Sequence, residues 1–219
     1  MKNDKLLNVH PTAIIYPNVN IGTETLIGAY SILGEPSHGN EPGLKITDIG
    51  PASIIRSHTV IYEGNDIGSK FQTGHKVNIR EDNKIGNNVS IGTHSIIEHH
   101  VEIADNVRIH SSAFIPEYSK LEEGSWIGPG VFFTNAIHPL CPQAKKCLKG
   151  PIIKRNAKIG ANATLSPGVT IGEKALVGSG SVVVEDVLPR AVVVGNPARQ
   201  IKTIDDLTCP FDLCEKPYD

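Results

Sequence analysis

The most constraining feature of this sequence is an aliphatic residue that recurs at every sixth position. The recurrence runs in three blocks, with first positions over residues 9–33, 49–133 and 153–183, and 24 of the 26 hexads begin with Ile, Leu or Val. Six residues make one short strand and one corner, so three hexads close a triangular coil that rises by one strand spacing, about 4.8 Å. The repeat therefore predicts an all-β parallel solenoid of eight to nine coils, each packed on its neighbours.

Two further positions of the hexad are restricted. The fifth is Ala, Ser, Thr or Val in 22 hexads, which suits a side chain that points into a corner. The second is Gly in 12 hexads, and we expect these glycines to supply the backbone freedom of the corner. The composition agrees, because Ile and Val together count 44 against 13 Leu, which favours strands over helices.

Two interruptions and a tail divide the chain. The repeat is lost over residues 34–48 and again over 134–152, and we expect both segments to be loops that leave the solenoid. The predicted organisation is one solenoid domain over residues 1–202, with these two loops, followed by a short C-terminal tail over residues 203–219.

Charge and hydropathy argue against several classes of function. Lys plus Arg count 21 against 23 for Asp plus Glu, so the chain lacks the basic excess of a nucleic-acid-binding face. No apolar run approaches the roughly 20 residues of a membrane span, and the first residues contain no apolar signal core. We therefore expect a soluble, cytoplasmic protein with no nucleic-acid and no membrane partner.

The last repeats carry the motif that indicates a family. Residues 159–202 read IGANATLSPGVTIGEKALVGSGSVVVEDVLPRAVVVGNPARQIK. This segment resembles the C-terminal signature of the hexapeptide-repeat, left-handed β-helix acyltransferases. The resemblance implies a left-handed solenoid, acetyl-CoA as the acyl donor, and a homotrimer with its sites between subunits. The residues that it assigns to coenzyme A are Ala161, Gly178, Ser179, Arg199 and Lys202.

Two other segments are similar to the members of that family that N-acylate nucleotide-linked amino sugars. Residues 73–81 read TGHKVNIRE, and Thr134 and Asn135 are followed by a proline four residues on. His138 departs from this subfamily, because a His-Pro pair at this point is similar to sugar O-acetyltransferases. The sequence therefore predicts N-acetyl transfer to a nucleotide-linked amino sugar, with sugar O-acetyl transfer as the alternative.

Histidine suits the general base of such a reaction, because free imidazole has a pKa near neutrality. The resemblance indicates His138 and His75 for this role. The residues that we expect to contact the acceptor are Arg80, Glu81, His110, Ser112 and Asn135. The 18-residue coil also places His99 one strand spacing from Glu81 and from Glu117, in a polar ladder.

All four cysteines lie outside the repeats. Cys141 and Cys147 are in the second loop, and Cys209 and Cys214 are in the tail. Two such pairs predict a structural zinc site of four thiolates that joins the tail to the loop, with unpaired reduced thiols as the alternative.

A different zinc hypothesis comes from the γ-type carbonic anhydrases, which use the same solenoid with three histidines on the metal. His94 and His99 show the H-x4-H spacing of those enzymes, and His75 lies one coil away. The C-terminal signature favours the transferase over this alternative and over a non-enzymatic scaffold.

Overall fold

The computed structural model describes residues 7–218; residues 1–6 of the predicted domain and residue 219 of the tail lie outside this part of the chain. It is an all-β solenoid of three parallel sheets, whose strands follow one another around the coil. This confirms the predicted left-handed β-helix. The sheets are called A, B and C in the order in which the chain visits them, and the corners between them form the A/B, B/C and C/A edges.

The strands are short, mostly two residues, as expected from a hexad that must also turn a corner. Sheet A contains, in spatial order, Asn8–Val9, Leu26–Ile27, Ile54–Ile55, Gln72–Thr73, Ser90–Ile91, Arg108–Ile109, Trp126–Ile127, Lys158–Ile159, Leu176–Val177, Ala191–Gly195 and Ala198–Thr203. Sheet B contains Ile14–Ile15, Ile32–Glu35, Val60–Tyr62, Asn78–Ile79, Ile96–Ile97, Phe114–Ile115, Phe132–Phe133, Thr164–Leu165 and Val182–Val183. Sheet C contains Val19–Ile21, Thr47–Ile49, Asp66–Ile67, Lys84–Ile85, Glu102–Ile103, Lys120–Leu121, Ile152–Ile153 and Thr170–Ile171. Two 3₁₀ helices, Ala144–Lys146 and Ile204–Asp206, lie outside the sheets.

The first positions of the hexads form the core. Ile79 pairs in register with Ile97 in the next coil, and both side chains are completely buried. Such ladders remove apolar surface from water, which stabilises the fold by about 25 cal/mol per Å². Thr73 is the polar exception, and its buried hydroxyl lies 3.3 Å from Oγ1 of Thr59, so its hydrogen-bonding capacity is met inside the core.

Glycine is required at the second position for a different reason from the one expected. Apart from Gly34, they do not adopt a left-handed φ; that conformation falls on the fourth position, as at Lys76 (56°) and His94 (61°). A Cβ on Gly74 would instead lie 2.3 Å from the backbone nitrogen of Thr93 in the next coil. Close stacking of the coils therefore requires glycine here, and the freedom to turn is needed two residues later.

Sheet A continues beyond the last hexad, which begins at Val183. Strand Ala191–Gly195 adds in parallel to Leu176–Val177 and then turns back as a hairpin into Ala198–Thr203. Sheet A thus contains ten parallel strands, more than the eight to nine coils predicted. The additional strand, Ala191–Gly195, pairs in parallel with its neighbour although its sequence has lost the six-residue period.

Both interruptions of the repeat leave the solenoid at the B/C edge. The first excursion, residues 36–46, joins Ile32–Glu35 to Thr47–Ile49, and the second, residues 134–151, joins Phe132–Phe133 to Ile152–Ile153. The two excursions therefore bound one stretch of this edge. Within residues 7–218, no helix is long and apolar enough to cross a membrane.

Candidate active site

A row of polar side chains follows the B/C edge between the two excursions. Glu63, Glu81, His99, Glu117 and Asn135 occupy equivalent positions in successive coils. Asn135 Nδ2 donates to Glu117 Oε2 at 2.6 Å, and Oε1 of the same carboxylate lies 3.5 Å from His99 Nε2. The ladder expected from the 18-residue interval is present, and it orients Glu117 toward His99.

His99 also contacts the histidine that follows it. The two Nδ1 atoms, of His99 and His100, lie 2.9 Å apart, and the rings meet at 85° with their centroids separated by 4.9 Å. The Tyr118 ring closes the group, with its centroid 6.0 Å from that of His99 and 5.8 Å from that of His100. One ring must donate and the other must accept in such a contact, so the pair can take up a proton and pass it on. His100 was not among the residues expected from the sequence, although the HH dipeptide at this corner was a signal for it.

Arg80 and Glu81 form a bidentate ion pair on this edge. Arg80 donates from Nε at 2.8 Å and from Nη2 at 2.9 Å to the two carboxylate oxygens of Glu81, and its Nη1 lies 3.4 Å from Glu98. Its guanidinium also lies over the Tyr62 ring, 5.3 Å from the centroid. The hydrogen bond to Glu81 raises the pKa of Arg80, so this side chain is a fixed cation.

The two carboxylates that face Arg80 differ. Burial acts to raise the pKa of Glu81, but the hydrogen bonds from Arg80 outweigh it, and that pKa is lowered. Burial raises the pKa of Glu98, Arg80 opposes the rise, and the neighbouring charge of Glu117 adds to it. The edge thus combines a firmly ionised carboxylate with one that binds a proton more readily.

The first excursion is held by one buried carboxylate. Glu63 is 1% exposed, and its Oε1 accepts hydrogen bonds from the backbone N–H of Ser37 at 3.2 Å, the Ser37 hydroxyl at 2.8 Å and the Asn40 amide, while Oε2 accepts from the backbone N–H of Lys45 at 3.2 Å. Lys45 Nζ also pairs with Asp82 at 2.6 Å. These contacts shape a pocket of about 380 Å³ between the first excursion, the Arg80–Asp82 corner and the two histidines.

The structure places His75 and His110 at the A/B edge, which lies on the opposite side of sheet B from the B/C edge. His75 lies on the A/B edge, where its Nδ1 is 2.8 Å from the Ser57 hydroxyl. His110 lies two coils further on, with its ring centroid 4.7 Å from that of Trp126, and Ser112 turns the corner with a left-handed φ of 61°. These residues are therefore separate from Arg80, Glu81 and Asn135 within one chain.

The residues assigned to coenzyme A lie toward the C-terminal end of the same A/B edge. Ala161 and Ser179 stand at equivalent corners of neighbouring coils, and Arg199 and Lys202 are exposed on the hairpin strand Ala198–Thr203. Gly178 has a packing role, because a Cβ there would lie 2.6 Å from Cγ1 of Val194. Ala161 and Ser179 carry nothing larger than a hydroxymethyl group, so an extended chain could approach the backbone amides beside them.

His138 lies in the second excursion, where it is exposed and its carbonyl accepts from the backbone N–H of Cys141 at 3.2 Å. This position is on the B/C edge, two coils beyond the His99–His100 corner. His138 and His75 are therefore on different edges of the chain, which places the two predicted bases apart.

The predicted zinc sites are not formed. Within the part of the chain that the structure describes, no three His, Cys, Asp or Glu side chains are arranged to hold a metal ion, which applies to the cysteines and to His75, His94 and His99. Cys141 and Cys147 leave from the B/C edge, whereas the tail with Cys209 and Cys214 follows the last strand of sheet A. The two pairs are thus carried by different parts of the solenoid, and the structure does not support the predicted site of four thiolates.

Comparison with known proteins agrees with the repeat. The bacterial transferase hexapeptide family, described by six repeats, matches residues 84–117 and 150–184. The match covers less than half of the chain, and it accounts for the hexapeptide repeat of these coils. The matched residues are the coils on either side of the second excursion, including the His99–His100 corner and Ala161 and Ser179.

Curated relatives of this chain include an N-acetyltransferase and an O-acetyltransferase. It is 42% identical over 82 residues to a 2,3,4,5-tetrahydropyridine-2,6-dicarboxylate N-acetyltransferase of Clostridium perfringens, which covers 37% of this chain and 32% of the relative. It is 37% identical over 84 residues to the galactoside O-acetyltransferase of Escherichia coli, which covers 36% of this chain and 41% of the relative. The chain thus spans between about a third and two fifths of the length of these relatives.

Among solved structures, the chain is similar to the UDP-N-acetylglucosamine acyltransferase of Francisella novicida. The TM-score is 0.76 and the sequence identity 16%, and the match covers 90% of this chain and 71% of the other. At this identity the likeness concerns the fold, and it extends over nearly the whole solenoid.

Proposed function

We propose that this chain moves an acetyl group from acetyl-CoA to the amine of a nucleotide-linked amino sugar. The observation that carries the proposal is the match of more than a third of the chain to two acetyltransferases whose acceptors differ, an N-acetyltransferase and an O-acetyltransferase. What these relatives have in common is the acetyl group that is transferred. The acceptor is therefore argued from the residues of this chain.

An amine acceptor suits the charges of the B/C edge. Carboxylates outnumber fixed cations beside the pocket: Glu81, Asp82, Glu98 and Glu117 against Lys45 and Arg80. An excess of carboxylates favours an ammonium group over a neutral hydroxyl. The protonated amine must then lose a proton before it can attack, so a base within the same edge is required.

The His99–His100 pair fits this base best, because a carboxylate orients it and a pocket adjoins it. If His99 donates its Nε2–H to Glu117 and accepts from His100 at Nδ1, the Nε2 lone pair of His100 is free to receive the proton. The amine nitrogen then forms a bond to the acyl carbon, the carbon–sulfur bond breaks, and the proton reaches the coenzyme thiol. His138 and His75, which the family resemblance indicated, remain predictions that the same variants test.

Acetyl-CoA, when bound, supplies the activated acyl group. Ala161 and Ser179 leave the A/B edge open to an extended chain, and a Cβ added to Gly180 beside them would meet no heavy atom within 4 Å. Arg199 and Lys202 supply exposed positive charge near that edge for phosphate groups. These residues would hold the coenzyme through the backbone N–H groups of the edge and through the positive charge of the hairpin strand.

A homotrimer would bring the two edges together. Outward residues of sheet B include Ile14 (52% exposed), Ile96 (38%) and Phe132 (52%), whereas most of the matching positions of sheet C are charged, as at Lys84 and Glu102. If sheet B faces the axis of a cyclic assembly, the A/B edge of one copy stands beside the B/C edge of the next. This arrangement joins the coenzyme residues to the His99–His100 pair, with the site between subunits.

The test is a panel of acceptors with acetyl-CoA, monitored by release of free thiol and by the mass of the product. We expect nucleotide-linked amino sugars to be acetylated, and the same compounds with a hydroxyl in place of the amine to be inactive. Turnover of the hydroxyl acceptors alone would establish the O-acetyltransferase alternative. No thiol release with either class would contradict acetyl transfer to a sugar.

A further inference from the structure

The A/B edge differs from the other two edges in its charge. Within residues 7–218, neither its nine corners nor the strands of sheet A contain Asp or Glu, although the chain has 23 acidic residues. The other edges carry carboxylates, as at Glu81 on the B/C edge and Glu123 on the C/A edge. Sheet A and the A/B edge carry positive side chains instead, among them Arg56, Lys76 and Arg108. This side of the solenoid therefore favours an anionic ligand.

Two of these arginines border one cavity. Arg56 and Arg108 both line a cavity of about 210 Å³ on the sheet A side of the edge. Arg56 is held in place, because its Nη1 donates to the Thr73 carbonyl at 2.8 Å and its backbone N–H donates to Thr73 Oγ1 at 2.9 Å. That contact uses one of the five guanidinium N–H donors. Neither arginine forms an ion pair with a carboxylate in the described part of the chain, so both charges are available to a ligand.

Between the arginines the edge is open. The second hexad position over four successive coils reads Arg56, Gly74, Gly92 and His110, and all four residues line the cavity. Packing between coils already requires glycine at the two middle positions, and one consequence is a notch between the two long side chains. Arg56 and His110 are three strand spacings apart, about 14 Å along the solenoid. A notch of this length has room for a diphosphate between arginine side chains that reach in from both ends.

A second cavity adjoins the notch on the far side of Arg56. It measures about 350 Å³, and outward aliphatic side chains of sheet A, Leu26 and Ile54, form its floor. Leu26 is 44% exposed, so this apolar surface is open to solvent in the single chain. Asn8 and His10 line the same cavity and supply hydrogen-bonding groups. An apolar floor with a few polar groups suits a flat ring system such as a nucleobase.

The notch lies at the same height along the solenoid as the candidate proton-transfer residues. The coil that begins with strand Gln72–Thr73 carries Arg80 at its B/C corner, and the coil that begins with Ser90–Ile91 carries the His99–His100 pair. In the cyclic trimer proposed above, the A/B edge of one copy stands beside the B/C edge of the next. A ligand in the notch would therefore be next to the histidine pair of the neighbouring copy.

We propose that Arg56 and Arg108 bind the diphosphate of the nucleotide-linked acceptor in this notch, with its base over Leu26 and Ile54. The identity of the ligand rests on the proposed function, whereas the charge and the shape of the site do not. The guanidinium group presents paired N–H donors that match phosphate oxygens, which explains why arginine rather than lysine borders the notch.

This site is separate from the positive charge assigned to the coenzyme. Arg199 and Lys202 lie on strand Ala198–Thr203, which is five strands beyond the strand of Arg108 in sheet A. Five strand spacings correspond to about 24 Å. Phosphate groups of the acceptor and of the coenzyme would thus be held at different heights on the same side of the solenoid.

The experiment titrates the protein with uridine, thymidine and guanosine 5′-diphosphates, and separately with coenzyme A, in a calorimeter. We expect at least one of the three diphosphates to bind the wild type. Arg56→Ala and Arg108→Ala should each weaken that binding by about tenfold or more, because each removes a charge-assisted contact to phosphate. The corresponding Lys variants should bind with intermediate affinity, since they retain the charge without the paired donors. Coenzyme A should bind all four variants as it binds the wild type.

Arg155→Ala is the matched control, because Arg155 is an exposed arginine on the C/A edge that pairs with Glu123. It should bind the diphosphate as the wild type does, and circular dichroism checks that every variant keeps the solenoid. The proposal is overturned if none of the three diphosphates binds, if Arg56→Ala and Arg108→Ala both bind normally, or if they lose coenzyme A instead.

Failure of this site and failure of the proposed acetyl transfer give different results. Binding that is lost in Arg56→Ala and Arg108→Ala, together with no acetylation of any amino sugar, would support the diphosphate site and contradict acetyl transfer. Acetylation of a nucleotide-linked amino sugar with an unchanged KM for the acceptor in both variants would support acetyl transfer and overturn the diphosphate site.

Discussion

The Nδ1 atoms of His99 and His100 lie 2.9 Å apart, while Nε2 of His99 faces Glu117. Consecutive residues of an extended strand point in opposite directions, so two neighbouring rings rarely meet in this way. They meet here because His100 occupies the corner position with a left-handed φ of 57°. The corner thus turns an HH dipeptide into a pair of rings in hydrogen-bond contact.

The first prediction concerns this pair. His100→Ala should lower kcat for acetyl transfer by about 10²–10⁴-fold with a much smaller change in KM, because loss of a general base affects the transition state. His99→Ala should have a similar but smaller effect, since it removes the link to Glu117. The acidic limb of the kcat–pH profile should disappear in the His100 variant.

His94→Ala is the matched control, because His94 is an exposed corner histidine with the same left-handed φ on the A/B edge. His75→Ala and His138→Ala complete the series. One of these two variants could show a lowered kcat and no acidic limb in its kcat–pH profile, while the His100 variant behaves as the wild type. The base would then be at that position, and the His99–His100 pair would have no part in proton transfer.

The second prediction concerns Glu63 and the first excursion. Burial acts to raise the pKa of Glu63, but hydrogen bonds from Asn40, Ser37 and Lys45 lower it below the ordinary 4.5. The stability that Glu63 contributes is therefore complete above that value and is lost as pH falls through the lower pKa of the folded state. Glu63→Gln should destabilise the excursion by about 1–3 kcal/mol at neutral pH, because buried N–H donors lose a charged acceptor.

Limited proteolysis of residues 36–46 at neutral pH measures this loss, and the wild type should become equally sensitive in acid. Glu102→Gln, on the exposed face of sheet C, should leave the cleavage rate unchanged. Equal protection of the Glu63 variant and the wild type at neutral pH would show that the carboxylate does not hold the excursion.

The third prediction concerns assembly through sheet B. Phe132 is 52% exposed in the single chain and stacks on Phe114 with the ring centroids 5.8 Å apart. Phe132→Asp should dissociate the trimer, because burial of an unpaired carboxylate against an apolar face is costly. Light scattering should give the mass of one chain for the variant and of three for the wild type, with acetyl transfer lost together with the trimer. Lys84→Asp, on sheet C, is the control and should remain trimeric. Dissociation of this control variant, or a Phe132→Asp variant that remains trimeric, would place the interface elsewhere.

Much of the solenoid could be predicted because its core depends on a period that the sequence displays directly. Every first position from Ile49 to Phe133 that carries an aliphatic or aromatic side chain is buried, and even Thr73 is. The last parallel strand, Ala191–Gly195, was missed because backbone pairing alone adds it to sheet A. The role of the second-position glycines was also misjudged, since crowding between coils does not show in a single hexad.

The site was less predictable because it depends on which edge each residue occupies and on side-chain directions. The interval of 18 correctly placed His99 beside Glu117. The bidentate pair of Arg80 with adjacent Glu81 depends on the directions of two neighbouring side chains, which no interval predicts. The cysteine pairs looked alike in sequence, yet the second excursion and the tail leave the solenoid at different places. No repeat governs these segments, so their positions follow from tertiary contacts alone.

The last prediction concerns the coenzyme end of the A/B edge. Arg199 and Lys202 are exposed on the strand after the final coil, and their charges are expected to meet phosphate groups of acetyl-CoA. Arg199→Ala and Lys202→Ala should each raise KM for acetyl-CoA by about three- to tenfold, the range for exposed charge-assisted contacts. Acetyl-pantetheine has no nucleotide phosphates, so both variants should use it as well as the wild type does. Lys145→Ala, in the second excursion, should match the wild type with both donors. An equal loss with both donors would mean that the hairpin strand supports the fold of the edge and does not bind phosphate.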